Sequence, residues 1–190
     1  MVMVDGAPSP LAWSGPVAAR LEGLQSTLGE GPCVDAHNSG RSISEPDLSR
    51  PRRARWVAFG PAAVDAGAVA LFSFPLRLGG VRLGALTLYQ TSPGDLSDEQ
   101  HVDGQAVADI ATLAILTSQA DAPEDSLSPD LEMLADYGAE VHQASGMVSV
   151  QLGVGIGEAL VRLRAHAFAE SRPLADVAAD VVARRLRFEK

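Results

Sequence analysis

The last third of the sequence contains three runs of apolar residues at helical spacing, separated by breaks that hold glycine or proline. Residues three, four and seven positions apart lie on one side of a helix, so each run predicts a helix with one apolar side. Three such helices joined by short loops bury these sides against one another. We therefore predict an all-α three-helix bundle over residues 130–190, whose third helix runs from Leu174 to about Leu186. The runs contain Leu131, Leu134, Val141, Val148 and Leu152, then Leu160, Leu163 and Ala167, then Val177, Ala178 and Val181.

The first of these runs also shows a seven-residue repeat. Leu134, Val141 and Val148 lie seven positions apart, and Leu131 and Leu152 occupy the interleaved positions. A repeat of this kind is typical of helices that pair in a coiled coil. We therefore predict a coiled-coil-like first helix whose seam joins two copies of the chain as a homodimer. The seam residues are Leu131, Leu134, Val141, Val148 and Leu152.

A set of residues in fixed order spans all three predicted helices: Val141, Gln143, Ala144 and Gly146, then Glu158, Ala159, Leu160, Leu163, Arg164 and Ala167, then Arg172, Pro173, Leu174, Asp176, Val177, Ala178 and Val181. In residue type and spacing this set resembles the ANTAR domain, a three-helix RNA-binding module of bacterial transcription antiterminators. That family usually has a lysine between the alanine and the glycine of the first helix. This chain has Ser145 there, which removes one cation that would strengthen phosphate contact.

The resemblance implies binding of a nascent leader transcript that folds into a pair of short hairpins. Two hairpins require two copies of the module, which agrees with the predicted homodimer. Proteins read RNA mainly through unpaired loop bases and the backbone. Arg162 and His166 lie one helical turn apart, while Arg164 and Arg172 lie near the end of the second helix and the start of the third. The predicted RNA-binding residues are Ala144, Ser145 and Gly146, which allow close approach, and Arg162, Arg164, His166 and Arg172, which contact phosphates or bases.

The distribution of charge is compatible with this assignment but does not require it. The chain carries a formal net charge of −9. Residues 1–136 hold 8 cationic and 18 anionic residues, whereas residues 137–190 hold 7 and 6. An acidic front part therefore precedes a nearly neutral tail whose cations can cluster on one face.

The front part predicts a mixture of helices and strands. Residues 17–28 and 57–66 have helical spacing, and residues 68–75 and 81–89 read as two strands joined at Gly79 and Gly80. Ser97 is the predicted N-cap of a helix that runs to about Ser118. The apolar positions of that helix are Val102, Ala106, Ile110, Leu113 and Leu116. A segment rich in proline, serine and acids, residues 119–129, predicts a linker before the bundle.

Scaffold positions across residues 1–118 carry a second resemblance: Leu24, Gln25 and Pro32, then Asp47, Leu48 and Trp56, then Ser73, Phe74, Pro75 and Leu76, then Gly84, Ala85 and Leu86, then Leu96 and Ser97. These residues resemble the GAF domain, a sensory α+β fold with an antiparallel sheet and packed helices. Members usually have a helix and a strand before the turn seen here at Asp5 and Gly6, so the resemblance implies a truncated sensory domain. It also implies an unknown small-molecule ligand, and no residue set selects a cofactor.

Other functional classes receive less support. Cys33 is the only cysteine, which excludes an intramolecular disulfide and a thiolate metal cluster. The four histidines show no metal-ligand spacing. Since the chain has neither a nucleophile elbow nor a paired catalytic set, we do not predict an enzyme. No signal peptide or membrane-spanning apolar run is present, and we expect a cytoplasmic protein that does not enter a membrane.

Two alternative functions remain open for the tail. Residues 158–186 read as two helices around Pro173, which is compatible with a DNA-binding helix-turn-helix. Alternatively, the chain is a dimeric interaction module in which Ser145 marks the loss of RNA binding. The glycines at positions 153, 155 and 157 are predicted to form the turn between the first two bundle helices, because they follow a helix and not a strand.

Overall fold

A computed structural model describes residues 1–4, 7–51, 55–120 and 129–189, with side chains described in all of these except residues 3, 4, 7 and 129–137. The elements in chain order are β1 (Val2–Val4), β2 (Ala7–Ser9), α1 (Gly15–Leu28), α2 (Pro32–Ser39), β3 (Ile43–Glu45), α3 (Phe59–Asp65), β4 (Ala70–Leu78), β5 (Val81–Gln90), α4 (Asp98–Ala120), α5 (Pro129–Leu152), α6 (Ile156–Ala169) and α7 (Leu174–Val182). The predicted linker falls mostly on residues 121–128, which lie outside the described residues.

The described strands form one antiparallel sheet in the order β2-β1-β5-β4-β3. At its centre is the predicted hairpin, in which β4 and β5 pair from Ala70 opposite Gln90 to Leu78 opposite Val81. Gly79 adopts a φ of +58°, as tight two-residue hairpin turns require, so the predicted turn is confirmed.

Helices cover both faces of this sheet. Because side chains alternate along a strand, β4 sends Phe72 and Phe74 to one face, where they pack with Ala108 of α4. Leu71 points to the other face and joins a core with residues of α1 and α3. That second core contains Leu21, Leu48, Trp56, Phe59, Ala63, Ala68 and Leu71. An α+β domain with an antiparallel sheet and packed helices is thus confirmed.

Helix α4 begins where the sequence predicted but turns a different side to the sheet. The amide of Gln100 donates to Ser97 Oγ at 3.2 Å and the amide of Ser97 donates to Gln100 Oε1 at 2.9 Å, which is a capping box. The buried side is formed by small residues, Gly104, Ala108 and Thr112. At Gly104 a Cβ atom would lie 2.5 Å from the Phe74 ring. The large side chain at this contact therefore belongs to the sheet, and the helix contributes a glycine. The predicted apolar positions, from Val102 to Leu113, therefore lie on the outer side.

One helix of the front part was missing from the prediction. Helix α2 begins at Pro32, which suits the first helical turn, and it ends before Gly40 in the left-handed conformation. Cys33 and Ala36 are its buried apolar residues besides Pro32. Eight residues with so few apolar positions give no readable helical period, and Gly29 and Gly31, which precede them, are typical of a turn.

Helices α5, α6 and α7 form the predicted three-helix bundle around one core. The core residues are Val141, Ala144, Val148, Ala159, Leu163, Ala167, Leu174, Val177, Ala178 and Val181. Gly153, with a φ of +69°, closes α5 in the predicted turn. The third helix ends at Val182, earlier than predicted, because Arg184 adopts a φ of +60° and leaves the helical path.

The predicted dimer seam is wrong for its central residues. Val141 is 2% exposed and Val148 is 0% exposed within a single chain, because both pack against α6 and α7. Leu152 is partly buried against the same core. The side chains of Leu131 and Leu134 lie outside the described residues. The seven-residue repeat of α5 therefore supports the bundle's own core.

No single helix among the described residues is long and apolar enough to cross a membrane. Gly138–Leu152 and Ile156–Ala169 reach the required length and hydropathy only as a pair that bends by 103°.

Candidate nucleic-acid interface

Two of the predicted RNA-binding residues of α5 lie inside the bundle. Ala144 is 0% exposed and Ser145 is 1% exposed, so neither presents a surface to RNA, and this part of the prediction is corrected. The Ser145 hydroxyl donates to the carbonyl of Val141 at 2.8 Å, which satisfies the buried hydroxyl within its own helix. Gly146, the next residue, is only partly buried. The prediction is wrong for Ala144 and Ser145 because their small side chains allow the helices to pack closely at these positions, which buries both residues.

Two of the predicted basic residues of α6 differ in exposure, since Arg162 lies at the surface and His166 is half-buried. Arg162 is exposed and its guanidinium forms an ion pair with Glu158 at 3.1 Å, one helical turn away. Exposed pairs of this kind contribute little to stability, so Arg162 can exchange Glu158 for a phosphate at small cost. His166 packs edge-on against the ring of Phe188, with 5.3 Å between ring centroids. This contact places His166 next to the segment that follows α7.

Arg164 points towards the front part of the chain. Its guanidinium lies against Gly29, where an added Cβ atom would be 2.3 Å from Arg164 Nη1. Gly29 is the left-handed cap of α1, with a φ of +66°. The last carbonyls of a helix carry partial negative charge, which favours a cation at this end. Arg164 therefore contacts α1 in this conformation, and its guanidinium would have to leave Gly29 before it could reach a phosphate outside the chain.

Arg172 is held by an acidic residue of the next helix. Its guanidinium lies 2.6 Å from Asp180 Oδ2, and Arg185 Nε lies 2.7 Å from Asp180 Oδ1. The hydrogen bonds from Arg172 and then Arg185 lower the pKa of Asp180 below its ordinary value. Both arginines thus share one carboxylate. Since Arg172 precedes α7 and Arg185 follows it, Asp180 ties the segments on both sides of α7 to the last turn of that helix.

The segment after α7 adds basic residues that sequence reasoning did not include in the site. Arg184 and Arg187 border a groove of about 300 Å³ together with Met147, Gln151 and Leu186. The amide of Phe188 donates to Gln151 Oε1 at 2.8 Å, which fastens this segment to α5. Within the described part of the chain, neither Arg184 nor Arg187 takes part in an ion pair. The sequence does contain a signal for this basic site, namely the three arginines within residues 184–187. Because these residues were predicted to form the end of the third helix, they were not considered as part of a binding groove.

The structure thus separates the predicted basic residues into two places. His166 lies beside the C-terminal segment, close to Gln151 through their shared neighbour Phe188. Arg164 lies at the contact with α1, and Arg172 borders a second groove beside that helix. An arginine-bordered groove with a side-chain amide suits phosphates and base edges, because guanidinium and amide groups donate to both. Among the described residues, no group of histidine, cysteine or acidic side chains could hold a metal ion.

The front part of the chain matches a known protein family. A family described as the GAF domain matches residues 1–116, which include the whole sheet and α1 to α3 with most of α4. The chain belongs to the GAF domain family. GAF domains are sensory and regulatory folds, and the match confirms the resemblance read from the scaffold positions. It does not extend to the three-helix bundle.

Two solved structures are similar to parts of the chain. A type II free methionine-R-sulfoxide reductase from Thermoplasma acidophilum is 20% identical, with a TM-score of 0.37, over 45% of this chain and 56% of the reductase chain. A domain of a two-component sensor histidine kinase protein from Sinorhizobium meliloti 1021 is 16% identical, with a TM-score of 0.39, over 54% of this chain and 90% of that domain. This chain thus spans just over half the length of the reductase. No curated protein matches the sequence.

Helix α1 of the GAF domain contacts α6 and α7 of the bundle, while β1 and β2 contact α5. The amide of Leu174, the first residue of α7, donates to Thr27 Oγ1 at 3.3 Å in a buried position. Beside this bond lies a groove of about 380 Å³ that the two parts form together. The GAF domain contributes Arg20, Gly23, Leu24, Thr27, Ala62 and Asp65, and the bundle contributes Ala167, Phe168, Ser171, Arg172 and Pro173. A change in the position of α1 would thus act directly on α6 and α7.

Proposed function

We propose that this protein is an RNA-binding regulator of transcription antitermination, in which the three-helix bundle binds hairpin RNA and the GAF domain controls that binding. The proposal rests on the order of residues that resembles the ANTAR domain and on the bundle they form. The single structural observation that carries it is the groove at Arg184 and Arg187, where two exposed guanidinium groups flank the side chain of Gln151.

The chemistry of this groove suits an unpaired base and its phosphate. Arginine contacts phosphates with charge-assisted hydrogen bonds and also stacks on bases. Gln151 uses Oε1 to accept from Phe188, so its amide nitrogen remains as a donor for a base edge. His166 and Arg162 extend the same chemistry along α6. The predicted contacts by Ala144 and Ser145 are not part of this proposal, because both residues are buried.

The GAF domain controls the bundle, in this proposal, through α1. Arg164 lies against Gly29, and the start of α7 is bonded to Thr27. A ligand or partner that moves α1 would release Arg164 and expose the N-terminal amides of α7, and both changes favour phosphate binding. A protein that holds the antiterminator form of a nascent bacterial transcript acts in the cytoplasm.

The test is salt-dependent binding of the purified chain to a leader RNA with two hairpins, compared with one hairpin and with duplex DNA. Replacing Arg184 or Arg187 by alanine should weaken binding and reduce the salt slope by about 1, since each phosphate contact releases roughly one counterion. Arg77→Ala, which removes an exposed arginine from the GAF hairpin, is the matched control and should change neither quantity.

The other outcomes separate the alternatives. An equal loss for Arg77→Ala would indicate binding by net charge and would contradict a site at the groove. A preference for duplex DNA would favour the helix-turn-helix interpretation. Failure to bind any nucleic acid would leave the dimeric interaction module as the better account of the chain.

A further inference from the structure

The groove of about 380 Å³ between the GAF domain and the bundle lies against one side of α1, from Arg20 to Thr27. It is also bordered by α3, by the end of α6 and by the loop between α6 and α7. Its volume is in the range of sites for small molecules. We propose that this junction groove binds a free amino acid with an apolar side chain. The site is independent of RNA binding.

A glycine in the middle of α1 keeps the junction groove open. Gly23 borders the groove, and a Cβ atom added to it would meet nothing within 4 Å. Glycine inside a helix lowers its stability relative to alanine, so this position keeps the space at a cost to α1. The groove also reaches Thr27 and Ala167, which are 7% and 0% exposed. A ligand that contacts these two residues is partly withdrawn from water.

Apolar side chains from both parts of the chain border the junction groove. Leu24 and Ala62 belong to the GAF domain, and Phe168 and Pro173 belong to the bundle. Phe168 lies on the last turn of α6 and is 45% exposed. Covering this apolar surface with an apolar group is favourable, and an aromatic group also packs well on a phenylalanine ring. The groove therefore suits a ligand with a side chain like that of leucine or phenylalanine.

The charged side chains that border the junction groove are Arg20, Asp65 and Arg172. Arg172 is already paired with Asp180. Arg20 and Asp65 are exposed, and within the described part of the chain neither forms an ion pair.

This leaves one cation and one carboxylate for a ligand. The guanidinium of Arg20 can donate to a carboxylate, and the carboxylate of Asp65 can accept from an ammonium group. A ligand with a single charge would leave either Arg20 or Asp65 unmatched. A free amino acid carries both charges next to its side chain, so it matches the charged and the apolar residues of the groove together.

A ligand in the junction groove contacts both parts of the chain and so stabilises their contact. The amide of Leu174 donates to Thr27 Oγ1 at 3.3 Å, and Thr27 borders the groove. Since the ligand binds only the folded arrangement, it should raise the melting temperature of the chain. It should also slow hydrogen exchange at the Leu174 amide, because opening of the contact then requires release of the ligand.

The first measurement is thermal unfolding of the full chain with the proteinogenic amino acids added one at a time. We expect L-leucine or L-phenylalanine to raise the melting temperature. Calorimetry then compares L-phenylalanine with 3-phenylpropionate, which lacks the ammonium group, and with 2-phenylethylamine, which lacks the carboxylate. Each analogue should bind at least about tenfold more weakly, because one charged contact is lost. A chain that no amino acid stabilises, or an analogue that binds as tightly as L-phenylalanine, would overturn the proposal.

The two charged residues should separate the analogues. Arg20→Ala should weaken binding of L-phenylalanine at least about tenfold and leave binding of 2-phenylethylamine unchanged, because that analogue has no carboxylate. Asp65→Ala should weaken L-phenylalanine to a similar degree and leave 3-phenylpropionate unchanged. Both residues are exposed, so both variants should fold. Wild-type affinity for L-phenylalanine in both variants would refute the assigned charges.

Filling the junction groove tests its position. Gly23→Leu places a side chain in the open space beside α1 and should abolish binding of L-phenylalanine. Gly157→Leu is the matched control, because Gly157 also lies in a helix with nothing within 4 Å of an added Cβ atom and borders neither groove. Circular dichroism would verify that both variants are folded. Unchanged binding in folded Gly23→Leu would place the amino acid elsewhere in the chain and would overturn the proposal.

Discussion

The amide of Leu174 donates to the hydroxyl of Thr27 across 3.3 Å, and this buried bond links the first residue of α7 to α1 of the GAF domain. The first amides of a helix have no partner within the helix, and the N-cap residue Pro173 makes no side-chain capping bond. Thr27 therefore performs, from the other part of the chain, the role that a serine or threonine usually performs at the N-cap.

Replacing Thr27 by valine keeps the shape of the side chain and removes the acceptor. We expect the free energy of unfolding to fall by about 1–3 kcal/mol, because the amide of Leu174 is left buried without its bond. The amide of Leu174 should also exchange with solvent faster in hydrogen-exchange measurements. Thr91→Val, at an exposed position, is the control and should be nearly neutral. Unchanged exchange at Leu174 would show that the bond does not hold α7 against α1.

The contact between Arg164 and Gly29 gives a second prediction, on the coupling of the two parts. Gly29→Ala adds a Cβ atom 2.3 Å from Arg164 Nη1 and so displaces the guanidinium. Gly79→Ala is the matched control, because Gly79 has a similar φ of +58° and nothing within 4 Å of the added atom. Both variants pay the left-handed backbone cost, and we expect Gly29→Ala to lose about 1 kcal/mol more in a denaturation experiment.

The same pair of variants tests control of RNA binding. If Arg164 binds phosphate once it leaves α1, Gly29→Ala should raise RNA affinity and Gly79→Ala should not. The gain should disappear in the double variant Gly29→Ala with Arg164→Ala, since the released guanidinium is then absent. A gain that survives in the double variant would exclude Arg164 as the released contact.

Sequence patterns predicted most of the elements, because their signals are local. The β4–β5 hairpin follows from two strands around Gly79 and Gly80, and the start of α4 follows from Ser97 with Gln100. Which side of a helix is buried is not a local property. The apolar side of α4 faces outwards because the sheet presents large residues such as Phe74, and only small residues fit above them.

The candidate site was predictable only in part for the same reason. The types and order of Arg162, Arg164, His166 and Arg172 were readable, but their partners come from distant segments. Arg164 contacts Gly29 and His166 contacts Phe188, and the spacing of residues along the sequence predicts neither contact. The burial of Ala144 and Ser145 follows from close packing of three helices, which a single helical period does not determine.

Two glycines in helices should respond oppositely to alanine. Gly104→Ala puts a methyl group 2.5 Å from the ring of Phe74, and this overpacking costs about 1–3 kcal/mol, more than the roughly 1 kcal/mol gained in helix propensity. Gly146→Ala meets nothing within 4 Å, so the propensity gain of about 0.5–1 kcal/mol should appear in full. Thermal and urea unfolding of the two variants measure both signs. Stabilisation by Gly104→Ala would contradict the packing of α4 on Phe74.

The carboxylate of Asp180 makes stability depend on pH in the acidic range. Hydrogen bonds from Arg172 and Arg185 hold its pKa below the ordinary value of 3.8, so the unfolded chain binds this proton more readily than the folded chain. By linkage, the stabilisation is fully present above about pH 4 and is lost as the pH falls through the folded pKa. Asp180→Asn should therefore be less stable than wild type near neutral pH, and the difference should shrink progressively in acid.

Denaturation of wild type and Asp180→Asn at several pH values measures this difference, and Asp103→Asn supplies the same charge change at an exposed residue of α4. A second readout ties Asp180 to the proposed function. Removing its charge frees Arg172 and Arg185 from their shared acid, so Asp180→Asn should bind RNA more tightly and with a steeper salt slope than wild type. Asp103→Asn removes the same charge from α4, on the opposite face of the sheet from α1, and Asp103 borders neither groove. If it raised RNA affinity by the same factor, net charge alone would explain the effect, and the arginines at Asp180 would have no specific part in binding.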